Sequence, residues 1–166
     1  DYDVDGVTSV SHMYLYFKSR GADIDYYIPS RNKEGYGVSV AGINILHERG
    51  TSLIVTVDTG ITANAEAEYA RELGMDMVVT DHHECYSSLP TACAVVNPHR
   101  SDCEYPFSEL AGVGVVFKLV CAFEQYMAPE LTREQCAENI CRDYIDLVAI
   151  GTVADVMPVR DENRYI

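Results

Sequence analysis

Residues 53–58 read LIVTVD and residues 75–83 read MDMVVTDHH, and these two stretches decide the fold. LIVTV is a β-branched, continuously apolar run that stops on Asp58, and MDMVVT repeats the pattern before Asp81. Runs of this kind belong to strands buried on both faces of a parallel sheet, where helices cover either side and no polar alternation survives. A third run, ACAVV, precedes Asn97, and the Ala/Glu-rich stretch from Ala63 to Leu73 between the first two reads as a helix. Upstream, Val7, Val10, Tyr14 and Phe17 recur at helical spacing and predict a helix from Val7 to Arg20 that stops at Gly21. Ile24 to Ile28 reads as a short strand ended by Pro29, SRNKEGYG (residues 30–37) as a loop, and further helices are expected over Val38–Arg49, Val113–Tyr126 and Arg133–Ile150. Strands alternating with helices predict an α/β, doubly wound, mainly parallel sheet with helices on both faces.

The 166 residues fit one domain, and 48% hydrophobic with 23% charged residues excludes a disordered or low-complexity chain. A formal charge of -14 repels a polyanion over most of the surface, so nucleic acid would bind only where a local cation reverses the sign. Cysteines 85, 93, 103, 121, 136 and 141 form no C-x-x-C pair and read as buried reduced thiols. With no signal-peptide pattern and no apolar run of about 18 residues, the expectation is a soluble, cytoplasmic protein without a membrane span. The chain opens on DYDVDG without a methionine and closes on RYI, so a piece cut from something longer is expected.

Open parallel sheets bind ligands beyond the carboxyl ends of their strands. Asp58 and the run Asp81, His82, His83 stand there. Asp58 alone would serve equally as a helix cap. Two adjacent histidines after a buried strand are harder to absorb into a core, and imidazole mixed with carboxylates favours Mn²⁺ or Mg²⁺ over a thiolate-loving metal. In DYDVDG, Asp1, Asp3 and Asp5 alternate, so in an extended segment their carboxylates point to one side and repel unless a cation is present. An EF-hand loop would need glutamate where His12 stands. DVDGVT also resembles the nucleophile motif of haloacid-dehalogenase-type phosphatases, with Asp3 as nucleophile and Asp5 as acid, but their lysine and acidic loop have no clear counterpart downstream. A solvated acidic turn is the plain alternative. AIGTVADVMP ends an apolar helix at Gly151 and presents Asp155 in a loop, while AGVGVVF has Phe117 at the third fingerprint position and reads as tight helix packing, not a dinucleotide site. His12, His47 and His99 read as surface or core residues.

Taken in order, these elements resemble the DHH phosphoesterase superfamily and, more narrowly, the RecJ-type single-stranded-DNA exonucleases. The narrower resemblance rests on SRNKEGYG, VVNPHRSDCEYPFSELAGVGVVFKL and GTVADVMP. It implies metal ligands at Asp3, Asp5, Asp58, His82 and Asp155, with Asp58 bridging two cations and also catalytic. His83 would contact the scissile phosphate, and Asp1 and Asp81 would support the ligands. Arg31, Tyr36 and Arg100 are candidate DNA contacts. The implied activity is 5′-to-3′ hydrolysis of single-stranded DNA with Mn²⁺ or Mg²⁺, in DNA repair and recombination, by a partial DHH domain whose first strand, upstream of Asp1, is truncated and which a further C-terminal domain would help to grip the substrate. A DHH hydrolase of oligoribonucleotides, phosphoadenosine phosphate, cyclic dinucleotides or pyrophosphate is the alternative. A metal-free replication scaffold fits less well, because every ligand position in the chain is intact.

Overall fold

Asp3 starts the first helix. In the computed structural model, which describes residues 2–30, 35–86 and 88–166, its carboxylate accepts from the Gly6 N–H at 2.9 Å and caps α1 (Val4–Ser19). The helix therefore begins three residues before the expected Val7, and DYDVDG is not extended throughout. Aspartate is among the strongest N-caps and is favoured again in the first turn, which outweighs the alternation of the three acids. Asp3 consequently stays exposed while Asp5, in the first turn, is buried.

The expected strand over 24–28 does not form. A strand needs a ladder partner, and this segment instead lines a cavity of about 550 Å³ along the outer edge of β1 (Leu53–Val57), walled by Val10, Phe17, Ile24, Tyr26, Ile43 and Val55. The remaining elements fall close to expectation: α2 (Val40–Glu48), capped by Ser39; α3 (Asn64–Glu72); β2 (Asp76–Thr80); β3 (Ala94–Val96); α4 (Gly112–Met127); and α5 (Arg133–Ala154). A capping box starts α5, Gln135 N–H donating to Thr132 Oγ1 and Thr132 N–H to Gln135 Oε1. At its other end α5 runs past Gly151, so Asp155 is the C-cap of the helix, not a loop residue beyond it.

The strands pair in parallel in the order β1-β2-β3, with Val57 opposite Thr80 and Thr80 opposite Val96, so all three end along one edge. Alternating side chains split the core between the two faces of the sheet. Val57 packs under α1, α4 and α5 with Val113, Val116, Val120 and Val148. On the opposite face, Ile54, Met77 and Val79 pack with Ile43 of α2 and Ala67 and Ala70 of α3. Val79, Val113, Val116 and Val120 are fully buried, each contributing about 1.5–3 kcal/mol. This is the expected α/β arrangement with helices on both faces. The six cysteines are free, but only Cys136 is buried; Cys93 and Cys103 are exposed in the loops flanking β3. Among the described residues no helix is long and apolar enough to cross a membrane.

Candidate metal centre

The carboxyl ends of β1 and β2 deliver Asp58 and the Asp81–His83 turn to one crevice, and the two ends of α1 and α5 that face it add Asp5 and Asp155. Asp58 sits directly after β1 with φ of 57°, a left-handed conformation that strains a non-glycine residue. The turn is braced from both sides: Thr56 Oγ1 donates to the Thr59 carbonyl at 2.8 Å, and Ile61 N–H donates to Asp81 at 2.8 Å. Val156, following Asp155, is also left-handed, with φ of 56°. Strain thus brackets the crevice on two chain segments.

His82 Nε2 lies 3.2 Å from Asp58 Oδ1, 3.6 Å from Asp155 Oδ2 and 3.8 Å from Asp5 Oδ2. It is buried and makes no aligned hydrogen bond with any of them. An unpartnered imidazole nitrogen surrounded by three carboxylates is a donor set suited to a divalent cation. Two groups of ligand atoms lie within 4.8 Å of one another, Asp5, His82 and Asp155 in one and Asp58, His82 and His83 in the other.

Asp5 is the most constrained of these carboxylates. Its two oxygens accept from Gly112 N–H at 2.6 Å and Val113 N–H at 2.9 Å, using the N-terminus of α4 as an anion site. Burial, aided by the Asp58 charge, nevertheless raises its pKa to about 7 against these amides and His82. Burial also raises the Asp155 pKa, with the Asp58 and Asp3 charges adding to it and His82 and His83 opposing. Burial opposes charge on His82, but the close Asp58 carboxylate and the charge on Asp5 prevail and its pKa is raised. A cation in the crevice would compete with these protons.

Two glycines permit this crowding. A Cβ on Gly112 would lie 2.5 Å from Asp58 Cβ, and one on Gly151 would lie 2.5 Å from Thr8 Oγ1 and 2.9 Å from Asp5 Oδ1. Gly112 belongs to the AGVG stretch expected to pack tightly, and the group it packs against is a candidate ligand.

His83 stands at the open side of the same crevice, its ring 4.5 Å from that of His82. Its side chain is 57% exposed, and Nδ1 lies 2.7 Å from Asp81 Oδ1. That hydrogen bond, against partial burial and with the charges of Asp81, Asp58 and Asp155, lifts its pKa to about 9. Asp81 is itself buried; burial works against its charge, yet the bonds from His83 and from the Ile61 and His83 amides hold its pKa below the usual range.

A family model for the DHH family, N-terminal domain, matches residues 1–152. The chain belongs to the DHH family. Residues 81–83 spell its three letters. Over its full length this DHH chain is similar to the single-stranded-DNA-specific exonuclease RecJ of Bacillus subtilis strain 168, at 49% identity over 166 residues, and to that of Escherichia coli K12, at 43% over 169 residues. It spans only 20% and 29% of the length of those two relatives. Among solved structures, it matches exonuclease RecJ bound to manganese with a TM-score of 0.84, at 35% identity, covering 99% of this chain and 40% of that one. RecJ from Thermus thermophilus in complex with Mn²⁺ matches with a TM-score of 0.77, at 32% identity, covering 99% of this chain and 22% of that one.

Of the residues expected in the site of this DHH chain, Asp5, Asp58, His82, His83 and Asp155 converge, with Asp81 beneath them. Asp3 stands outside both ligand groups, its Oδ1 committed to the helix cap, although its charge reaches Asp155. Tyr36 is exposed and its ring lies 4.4 Å from that of Tyr2, beside Asp3. The Arg100 guanidinium is bound to Asp102 at 2.9 and 2.6 Å and to the Val95 carbonyl at 2.5 Å. Asp1 and Arg31 lie outside the described residues. Sequence reasoning missed the grip of the α4 N-terminus on Asp5; a glycine leading into apolar helix residues was the only available hint.

Proposed function

We propose that this chain is the catalytic DHH domain of an exonuclease that hydrolyses phosphodiester bonds of single-stranded DNA from the 5′ end, using Mn²⁺ or Mg²⁺, in DNA repair and recombination in the cytoplasm. The observation that carries this reading is the convergence of Asp5, Asp58 and Asp155 on the unpartnered Nε2 of His82. The similarity of the whole chain to enzymes named for that activity supports it.

Asp5, Asp58, His82 and Asp155 would hold the cations, with the Asp3 charge beside them. Divalent ions bound there supply charge neutralisation at the phosphate and lower the pKa of water. The protein's own groups do the rest. Asp5 is locked by two backbone amides and Asp58 by its braced turn, so the ligands are positioned before any cation arrives. Asp81 holds Nδ1 of His83 and favours the imidazolium, leaving Nε2–H free to donate to a nonbridging phosphate oxygen as charge grows there. The chain's charge of -14 keeps DNA off the rest of the surface and makes binding depend on the neutralised crevice.

The test follows single-stranded DNA, labelled at either end, incubated with the full-length protein and Mn²⁺. Mononucleotides are expected first from the 5′ label, and chelation of the metal stops their release. Release first from the 3′ label overturns the direction. Hydrolysis of dinucleotides with long strands untouched overturns the DNA assignment in favour of a small-substrate DHH hydrolase.

A further inference from the structure

We infer that Asn97 is a positioning residue that aims His83 at the phosphate. The inference rests on the reading of His83 as the group that contacts the phosphate. With 57% of its side chain exposed and its ring packed on one side against His82 at 4.5 Å, His83 depends on hydrogen bonds for its aim. Asp81 supplies two of them, to the ring at Nδ1 and to the backbone N–H at 3.1 Å. The remaining polar group of the His83 backbone, its carbonyl, accepts from Asn97 Nδ2 at 2.9 Å.

Asn97 is well placed to act as a fixed post. It follows β3, whose last residue already pairs with the histidine turn, Asp81 N–H donating to the Val96 carbonyl at 3.0 Å. Its side chain is buried, and its Oδ1 accepts from the His99 N–H at 2.7 Å. The partners fix the orientation of the amide, because a carbonyl only accepts and a backbone N–H only donates. Among side chains of this size, asparagine alone satisfies both. Aspartate would keep the His99 bond but turn a lone pair toward the His83 carbonyl, and alanine would keep neither. Asn97 thus ties the third strand to the backbone of the histidine turn without touching any ligand of the crevice.

The test compares Asn97→Ala and Asn97→Asp in the full-length protein, each in the native background and in His83→Ala, reading kcat, KM and Mn²⁺ affinity by calorimetry. Both variants are expected to lower kcat about tenfold, the scale of one lost hydrogen bond, with KM and Mn²⁺ affinity changed less than about twofold. In the His83→Ala background the loss should vanish, because residues acting through one group are not additive. Where Asn97→Ala fails to fold, the isosteric Asn97→Asp carries the comparison. An unchanged kcat, a fall in Mn²⁺ affinity, or the same loss in both backgrounds overturns the inference. If His83→Ala alone turns over normally, the role given to His83 under the proposed function fails instead, and the single variant reports that separately.

Discussion

His12 and His82 are both buried imidazoles, with both ring nitrogens of His12 and Nε2 of His82 lacking an aligned hydrogen-bond partner, yet their pKa values move in opposite directions. His12 lies in the core between α1, α4 and α5, stacked on Tyr144 at 4.9 Å and facing Phe117 at 6.3 Å, and burial drives its pKa down to about 4. His82 lies in the strand-end crevice among Asp58, Asp155 and Asp5, whose charges more than offset its burial. Burial alone removes charge; burial among opposite charges keeps it. The difference separates an orphaned nitrogen set among aromatic rings from one set among carboxylates, where a cation would fit.

The most severe way to break this contrast is to remove a carboxylate that makes the crevice what it is. Asp58→Ala should abolish hydrolysis, a loss of at least about 10³-fold, while relieving carboxylate repulsion and leaving the fold intact. Calorimetric Mn²⁺ titration should show at least one site lost. Unchanged stoichiometry with lost activity would mean that Asp58 does not bridge.

The paired histidines sharpen the contrast within the crevice, because His82 is buried with a free nitrogen and His83 is exposed with one nitrogen bound to Asp81. His82→Ala should weaken Mn²⁺ binding. His83→Ala should leave the metal bound and slow turnover by about 10²-fold, the scale of one donor to a charged transition state. Equal loss of metal in both would make both ligands, as their shared cluster with Asp58 allows.

On the core side the readout is stability. The folded-state pKa of His12, about 4, lies below its ordinary 6.5, so the unfolded chain takes up a proton that the folded one refuses. The stability associated with neutral His12 is complete above pH 6.5 and is lost as pH falls toward 4. By linkage, the loss between pH 7.5 and pH 5 is about 2 kcal/mol. Urea denaturation of the native protein and of His12→Leu at both pH values should show that much less acid sensitivity in the variant. An equal acid loss in the two proteins would mean that His12 has a partner or is charged in the fold.

How much of this was legible in the sequence depended on whether a residue's role was local. LIVTV and MDMVVT are strands because of their own side chains, and the rule that ligands gather at parallel strand ends then located Asp58, His82 and His83. The start of α1 was misplaced because a cap acts against the periodicity that marks a helix interior. Residues 24–28 have a strand's composition, but pairing is a tertiary matter and no ladder reaches them. Asp155 was expected in a loop because Gly151 looked like a stop; in the fold that glycine is the clearance for Thr8 and Asp5, and α5 continues through it. His12 and His82 could not be told apart by residue type, only by what the folded chain sets around them.

Arg100 extends the contrast to a cation, and its expected effect is the smallest. It follows the NPH turn near the crevice and would suit a DNA phosphate by type. Its guanidinium, however, is already divided between both oxygens of Asp102 and the Val95 carbonyl. A phosphate would have to displace a carboxylate bound through two parallel hydrogen bonds, so the charge is largely neutralised where it stands. The pair itself is exposed on the Asp102 side, and such surface pairs contribute about 0–1 kcal/mol. Arg100→Ala should therefore change KM for single-stranded DNA less than about twofold, within that range, and leave kcat untouched. A tenfold rise in KM that steepens at low salt would show that substrate takes Arg100 away from Asp102, and would make the rim of the crevice a place where partners are exchanged on binding.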